Sequence, residues 1–370
     1  MIGMIEICFA KANDEPKILQ FLHDHWRADH IFVTNPVLMR WQHESPDSPG
    51  DKLTFVIARR INADDSSEIL ALLGFIPFRR FDSGADWSEL SLAIWKVSED
   101  AGTPGLGLQL LKTIQRELQP SLICAIGTSQ IVRPIYTALG YTVGALSHVA
   151  LFLETVPSGE TVALGVPDVA RRSIAEDQSV ALQPVFGGKL PAGITAADID
   201  ILAAKGLPRK SWTYILNRYV QHPYYEYEIR TVIVGGALRS ILIWRRVSTQ
   251  YGNILRIVDV IGDADVLEHC GPALRREVAA SESEYIDLMH WGVSPEALSA
   301  GGFVGLHDYK DLVLPAYFEP FEQRNVQIEI AYRVDAKLSD RRLRLFRADS
   351  DQDRPNQPQL LMAKGTNNEH

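Results

Sequence analysis

Short runs of apolar residues recur along the chain, and their period switches between two and about 3.6. Ile5–Ala10 reads as a strand, and Glu15–Ala28 as a helix capped by Asn13 or Asp14. Leu53–Ile61, Glu68–Phe78 and Leu90–Val97 read as strands separated by polar turns at Asn62–Ser67 and Asp82–Asp86. A glycine loop follows, Gly102-Thr103-Pro104-Gly105-Leu106-Gly107, and opens an apolar-periodic helix over Leu108–Leu118. Next come a buried strand (Leu122–Ile126), a second helix (Ile131–Leu139), Gly140-Tyr141 and a last apolar strand, Val143–Leu153. One sheet with helices on both faces would then close near residue 155.

After a Pro, Gly and Ser stretch at Val156–Gly165 the order recurs. Val180–Phe186 is a strand, Thr195 caps Ala196–Lys205, and Lys210–Val220 is helical. Tyr227–Gly235 and Leu238–Val247 form a hairpin about Gly235-Gly236, and Asn253–Ile261 matches the strand before the glycine loop. Gly271–Ala280, Glu284–Met289 and Pro295–Ala300 complete the copy. The expectation is an α/β protein with two like domains, each a mixed, mostly antiparallel sheet flanked by helices, over 1–155 and 179–335 with a linker at 156–178. The second copy has Gly262-Asp263-Ala264-Asp265 where the first has its glycines, and two acids would repel a diphosphate. Residues 346–370 are poor in apolar residues and read as a disordered tail.

Composition narrows the function classes. The 370 residues carry a net charge of −9, which argues against a general nucleic-acid binder. No stretch is long and apolar enough to read as a membrane span, so a cytoplasmic location is the expectation, with a homo-oligomer left open. Cys8, Cys124 and Cys270 lack metal-ligand spacing and read as small buried hydrophobes.

A strand followed by glycines that open a helix is how a backbone holds phosphates, because glycines let the ligand approach and the first helical N–H groups point at it. Leu108-Gln109 follows the last glycine, so this is not the Lys-Ser or Lys-Thr phosphate loop, and the glycine order is the reverse of the dinucleotide fingerprint. The loop, with Tyr136-Thr137-Ala138-Leu139-Gly140-Tyr141 after it, resembles the pattern of the GNAT acyltransferase superfamily. That resemblance implies an acyl-coenzyme A co-substrate and no metal. It places the diphosphate at Gly102, Thr103, Gly105, Leu106 and Gly107, and the thioester carbonyl on main-chain N–H groups of the strand at Trp95, Lys96 and Val97. It makes Tyr136 the acid that protonates the departing thiolate. Gly102 departs from the Arg or Gln usual at its position.

Other residues are candidates on their own chemistry. Four histidines and two tryptophans fall between His23 and His43. His25 and His30 are five apart, which does not suit a metal, but either could take a proton from an amine. Trp26, Trp41 and Gln42 lie where the superfamily puts its acceptor-binding helices. Glu89 could act as a base through a water. Tyr317, in the aromatic run Leu314-Pro315-Ala316-Tyr317-Phe318-Glu319-Pro320-Phe321, could shape a sugar pocket. Taken together, His25–His30, Trp41-Gln42, Trp95-Lys96-Val97 and Tyr317–Phe321 resemble tandem GNAT sugar N-acyltransferases. These act on dTDP-3-amino-3,6-dideoxyhexoses with acetyl- or 3-hydroxybutanoyl-coenzyme A in surface-polysaccharide (lipopolysaccharide O-antigen) synthesis. The acceptor implied is a nucleotide-linked amino sugar. An aminoglycoside, peptide or polyamine acceptor, or a degenerate binding module without activity, remains open.

Overall fold

The computed structural model describes residues 4–45, 48, 50–64, 66–85, 88–155 and 159–356. The strands read before the glycine loop form an antiparallel meander, Met4–Lys11, Lys52–Ile61, Ser67–Pro77 and Glu89–Val97. The helix Leu106–Leu118 then crosses back and delivers Leu122–Thr128 parallel to Glu89–Val97. Its buried residues, Leu106, Leu110, Leu111, Thr113 and Ile114, lie on one face, and the four apolar ones pack on the sheet. Each such leucine contributes about 1.5–3 kcal/mol by leaving water.

The parallel ladder is short. It runs from Glu89 opposite Leu122 to Leu92 opposite Ala125, and beyond it, among the described residues, Ala93–Val97 pairs only with Ser67–Pro77. The two strands therefore form a fork at the end where the glycine loop begins.

Val143–Leu153 is not one strand of the first sheet. Thr142–Ala145 stays at that sheet's edge, whereas Ser147–Phe152 pairs with Ser283–Trp291 and Val304–Gly305 in the second sheet. In return, Glu329–Val334 inserts between Leu122–Thr128 and Thr142–Ala145. The first sheet thus takes a strand from the end of the second half of the chain, and the second sheet takes one from the end of the first half. A boundary at 155 does not coincide with the sheets. Strands alternate with period two in either sheet, so the apolar pattern of 143–153 carries no information about which sheet receives it. Leu146 marks the crossing, its N–H donating to the carbonyl of Ile328 at 2.9 Å.

With that exchange the two sheets, each of eight strands, have the same order. The second reads Val180–Val185, Glu228–Val234, Ala237–Thr249, Gly252–Gly262, Ser283–Trp291, Ser147–Phe152 and Val304–Gly305. Thr195 caps its helix as expected, in a reciprocal pair with Asp198.

The tail differs from expectation as far as residue 356. Leu345–Phe346 pairs with His290–Trp291 on the side facing Gly252–Gly262, and so fills the fork of the second sheet. Arg347–Asp349 forms a helical turn, and Asp349, Ser350 and Asp353 are buried. Arg342 and Arg344 reach Asp265 at 2.8 and 3.0 Å. The acids that replace the glycine loop therefore hold the chain's own arginines. Residues 357–370, also read as disordered, lie outside the described residues, as do 156–158 of the expected linker.

Residues 1–155 expressed alone lack the strand at 329–334, and we expect them to show no cooperative thermal transition by circular dichroism. The full chain is expected to unfold in one transition through both halves.

Candidate active site

The glycine loop has the backbone its sequence implies. Gly105, at φ 75°, is the residue from which the helix Leu106–Leu118 starts. The first bond of that helix runs from the Gln109 N–H to the Gly105 carbonyl at 3.1 Å, which leaves the N–H groups of Leu106, Gly107 and Leu108 outside the helical ladder. A Cβ added at Gly105 would meet nothing within 4 Å, so the loop is open on that side. At Gly107 it would lie 2.9 Å from the indole nitrogen of Trp95, so this glycine lets the indole pack against the helix start.

Trp95 continues the cluster. Its ring centroid is 6.0 Å from that of Tyr136, which lies 5.1 Å from Tyr141. Tyr136 is buried, and burial raises its phenol pKa well above the ordinary value, so the O–H keeps its proton across the physiological range. The structure thus brings Trp95, Gly107 and Tyr136 together beside the fork. Gly102 (φ 63°) ends a short turn, Thr103 Oγ1 donates to the Ala101 carbonyl at 3.4 Å, and Lys96 and Val97 are half-buried.

On the other side of the fork the C-terminal segment arrives. Ser350 Oγ donates to the Leu92 carbonyl at 3.2 Å, where the parallel ladder ends. The side chain of Gln352 lies against Gly127. Next to Ser350 a narrow pocket lies between the two sheets, with room for about one water. Trp41, Gln42, Phe81, Tyr214, Arg218 and Asp349 line it. Of the expected acceptor residues, Trp41 and Gln42 are therefore at the pocket. Trp41 packs at 5.4 Å on Phe81, and Gln42 Nε2 lies 3.0 Å from His43 Nε2.

The remaining candidates are elsewhere or engaged. Glu89 begins its strand, at the end away from the fork, and accepts from Arg209 N at 2.6 Å and Arg209 Nε at 3.4 Å. It ties the halves together, which removes it as a general base at the fork. His30 caps Ile31–Thr34, its Nδ1 accepting from Phe32 N at 3.2 Å. Burial, with the charges of Arg354 and Arg27, holds its pKa down to about 3, so it is a poor proton acceptor. His25 ends its helix beside Phe21, at 4.8 Å between rings, and Trp26 is largely exposed 5.8 Å from His30. Tyr317 sits under Arg347 (5.5 Å) and is not part of the pocket lining; Ala316 beside it is buried, its carbonyl accepting from Arg256 at 2.8 Å.

Three pocket-side groups carry no local sequence signal: Arg218, Lys210 and Asp349. Lys210 Nζ stands 2.6 Å from Asp259 and 2.5 Å from Asp349, while Tyr219 OH donates to Asp259 at 2.5 Å. Burial opposes the charge on Lys210, but Asp259 and Asp349 outweigh it and raise its pKa. Burial and then the neighbouring Asp259 push the Asp349 carboxyl upward, against the pull of Lys210. Only their convergence from residues 210, 259 and 349 makes the cluster.

No family model matches the sequence, and no curated protein matches it. Solved structures do. A GCN5-related N-acetyltransferase from Anabaena variabilis ATCC 29413 superposes with a TM-score of 0.52 at 12% identity, over 90% of this chain and 73% of that one. The fold is that of the GCN5-related N-acetyltransferases. Proteins so described from Kribbella flavida (TM-score 0.46, 13% identity, 90% of this chain and 71% of that one) and Sphaerobacter thermophilus (0.40, 12%, 89% and 95%) also match. Among the described residues no helix is long and apolar enough to cross a membrane, and no group of three His, Cys, Asp or Glu side chains is placed to hold a metal ion.

The buried histidines give a pH dependence. Folded His30 takes up a proton only near 3, whereas the unfolded side chain does so near 6.5. Below 6.5 the unfolded state binds the extra proton, so His30's contribution is present above that pH and is lost as pH falls. His30→Asn keeps a capping oxygen and removes the titration. Between about pH 7 and about pH 5, urea denaturation should show wild type losing about 2 kcal/mol more than this variant. Equal losses would contradict the assignment.

Proposed function

We propose that the protein is an N-acyltransferase that uses an acyl-coenzyme A as donor and an amine as acceptor. One observation carries this reading: a glycine turn with free helical N–H groups stands beside a fork in the sheet, with Trp95 and Tyr136 packed at the same place. The coenzyme supplies an acyl group already activated as a thioester. The N–H groups of Leu106, Gly107 and Leu108 would receive its diphosphate. Main-chain donors of the strand ending at Val97, which has no ladder partner on the fork side beyond Leu92, would take the thioester carbonyl. Tyr136, kept neutral by burial, is the proton donor for the leaving sulfur. The acceptor would approach the fork from the side on which Ser350 reaches the Leu92 carbonyl. The second fork holds Leu345–Phe346, which supports a scaffolding role for that half.

The finer reading is that the acceptor is the amine of a nucleotide-linked amino-deoxysugar and the acyl group acetyl or 3-hydroxybutanoyl. Its support is the sequence resemblance, together with Trp41 and Gln42 lining the pocket.

Acetyl-coenzyme A titrated by calorimetry should bind wild type and not Gly105→Val, whose side chain would project into the open side of the loop; no binding to wild type refutes the proposal. Tyr136→Phe should bind the coenzyme normally and turn over about 10²-fold or more slowly. Loss of affinity with unchanged kcat would make Tyr136 a packing residue. Mass-spectrometric screening of dTDP-amino sugars against short acyl-coenzyme A donors tests the acceptor.

A further inference from the structure

We propose that Asp351, on the C-terminal segment, takes the proton that the acceptor amine must lose, and that Ser350 and Gln352 hold its carboxylate over the first fork. The inference rests on the N-acyltransferase reading and supplies what that reading lacks, a base on the acceptor side.

The C-terminal segment crosses the fork from one prong to the other. Ser350 Oγ donates to the Leu92 carbonyl at 3.2 Å, on the prong where the parallel ladder ends. The Gln352 amide takes the place that a Cβ would fill at Gly127, on the other prong, where φ is 83° and glycine alone fits easily. Asp351 lies between these two anchors. Its Oδ1 stands 3.4 Å from Ser350 Oγ and 3.4 Å from Gln352 Nε2, which fixes the carboxylate between the prongs. Its Oδ2 faces Arg354 Nε at 3.4 Å, and the Arg354 guanidinium lies over the Phe32 ring at 5.0 Å.

These three contacts are long for hydrogen bonds, and a carboxylate has about four acceptor positions, so Asp351 can still take a proton. Its side chain is 10% exposed, shielded from bulk water without being sealed. The neighbouring acids and bases are committed. Asp349 has Lys210 at 2.5 Å, and Asp353 has Arg245 at 2.9 Å and Tyr227 OH at 2.7 Å. Glu329, on the strand beside Gly127, accepts from Gln327 at 2.6 Å and Arg133 at 3.4 Å. His43 Nδ1 lies 3.0 Å from Thr54 Oγ1, and burial holds its pKa down to about 3, as it does for His30. The prongs themselves, Ser91–Ile94 and Ala125–Thr128, carry no charged side chain, so Arg354 is the charge that faces Asp351.

An amine that arrives as an ammonium is drawn to a carboxylate and cannot attack until it loses a proton. Asp351 Oδ1 takes that proton. The nitrogen then attacks the thioester carbon; the C–N bond forms, the C–S bond breaks, and the sulfur takes the proton of Tyr136. The second nitrogen proton passes to water, which returns one to Tyr136, and Asp351 releases its own to solvent. Each ammonium and thioester thus yield one amide, one thiol and one free proton. With its own hydrogen on the Leu92 carbonyl, the Ser350 oxygen can accept from Asp351 once the acid is protonated.

The test uses the full-length protein and acetyl-coenzyme A with a dTDP-amino sugar, glycinamide and spermidine as acceptors. Thiol release and product mass are read from about pH 6 to about pH 9. Asp351→Asn keeps the shape and cannot take the proton. It should bind acetyl-coenzyme A as wild type does and lower kcat/KM for the reactive amine about 10²-fold or more near neutral pH. The deficit should shrink about tenfold for each pH unit of rise while the amine is mostly ammonium, because solvent then removes the proton instead. Asp351→Glu should be intermediate and follow the wild-type pH profile. A deficit of the same size at every pH makes Asp351 a packing residue and overturns the inference, as does an unchanged kcat/KM. Should Asp351→Asn not fold, Asp351→Ala with added formate decides: turnover restored by formate supports the base, and none overturns it. Wild type that binds acetyl-coenzyme A and acylates no amine also overturns the inference, whereas failure of acetyl-coenzyme A to bind removes the enzyme reading itself.

Discussion

Each sheet is completed by a strand from the other half of the chain, and the remaining architecture depends on that exchange. A sheet missing its penultimate strand would expose two rows of unpaired N–H and C=O groups. Ser147–Phe152 and Glu329–Val334 close those rows reciprocally. The exchange also assembles buried charge. His148, on a swapped strand, lies 2.8 Å from Asp287, which holds Arg256, and Arg256 in turn donates to the carbonyls of Pro315 and Ala316. Losing one member of such a network leaves an uncompensated buried charge and costs about 3–5 kcal/mol.

With the halves locked this way, side chains from both of them line one narrow pocket. Trp41 and Phe81 come from the first half, Tyr214 and Arg218 from the second, and Asp349 from the C-terminal segment. The same segment runs from one fork to the other. Near Leu345 it fills the second, with Arg342 and Arg344 on the acids at 263 and 265; near Ser350 it reaches the first, where the glycine turn stays open. Two copies of one scaffold therefore differ in what occupies an identical gap.

Much of this was legible from local pattern. The meander, the helix after the glycines and the Thr195 cap follow from periodicity and capping chemistry, which act within a few residues. The two acids at 263 and 265 are visible in the sequence, and they read as hostile to a diphosphate. Asp263 pairs with Arg239, 24 residues earlier, and the arginine partners of Asp265 lie some eighty residues later, beyond the reach of any local rule. Glu89 and His30 looked chemically available because a side chain's partner is invisible in sequence. One is held by Arg209, the other by the N–H of Phe32.

The sequence by itself determined the elements, their recurrence and the glycine turn at Gly105, because backbone conformation and apolar period are properties of neighbouring residues. Tertiary structure alone decided which sheet received residues 147–152 and 329–334, since alternation fits either sheet. It also decided that a polar tail would be buried, through the ion pair of Asp349 with Lys210 and of Asp353 with Arg245. The aromatic cage of Arg218, formed by Trp41, Phe81 and Tyr219, has the same cause: what surrounds a charged side chain depends on which distant residues the fold brings to it.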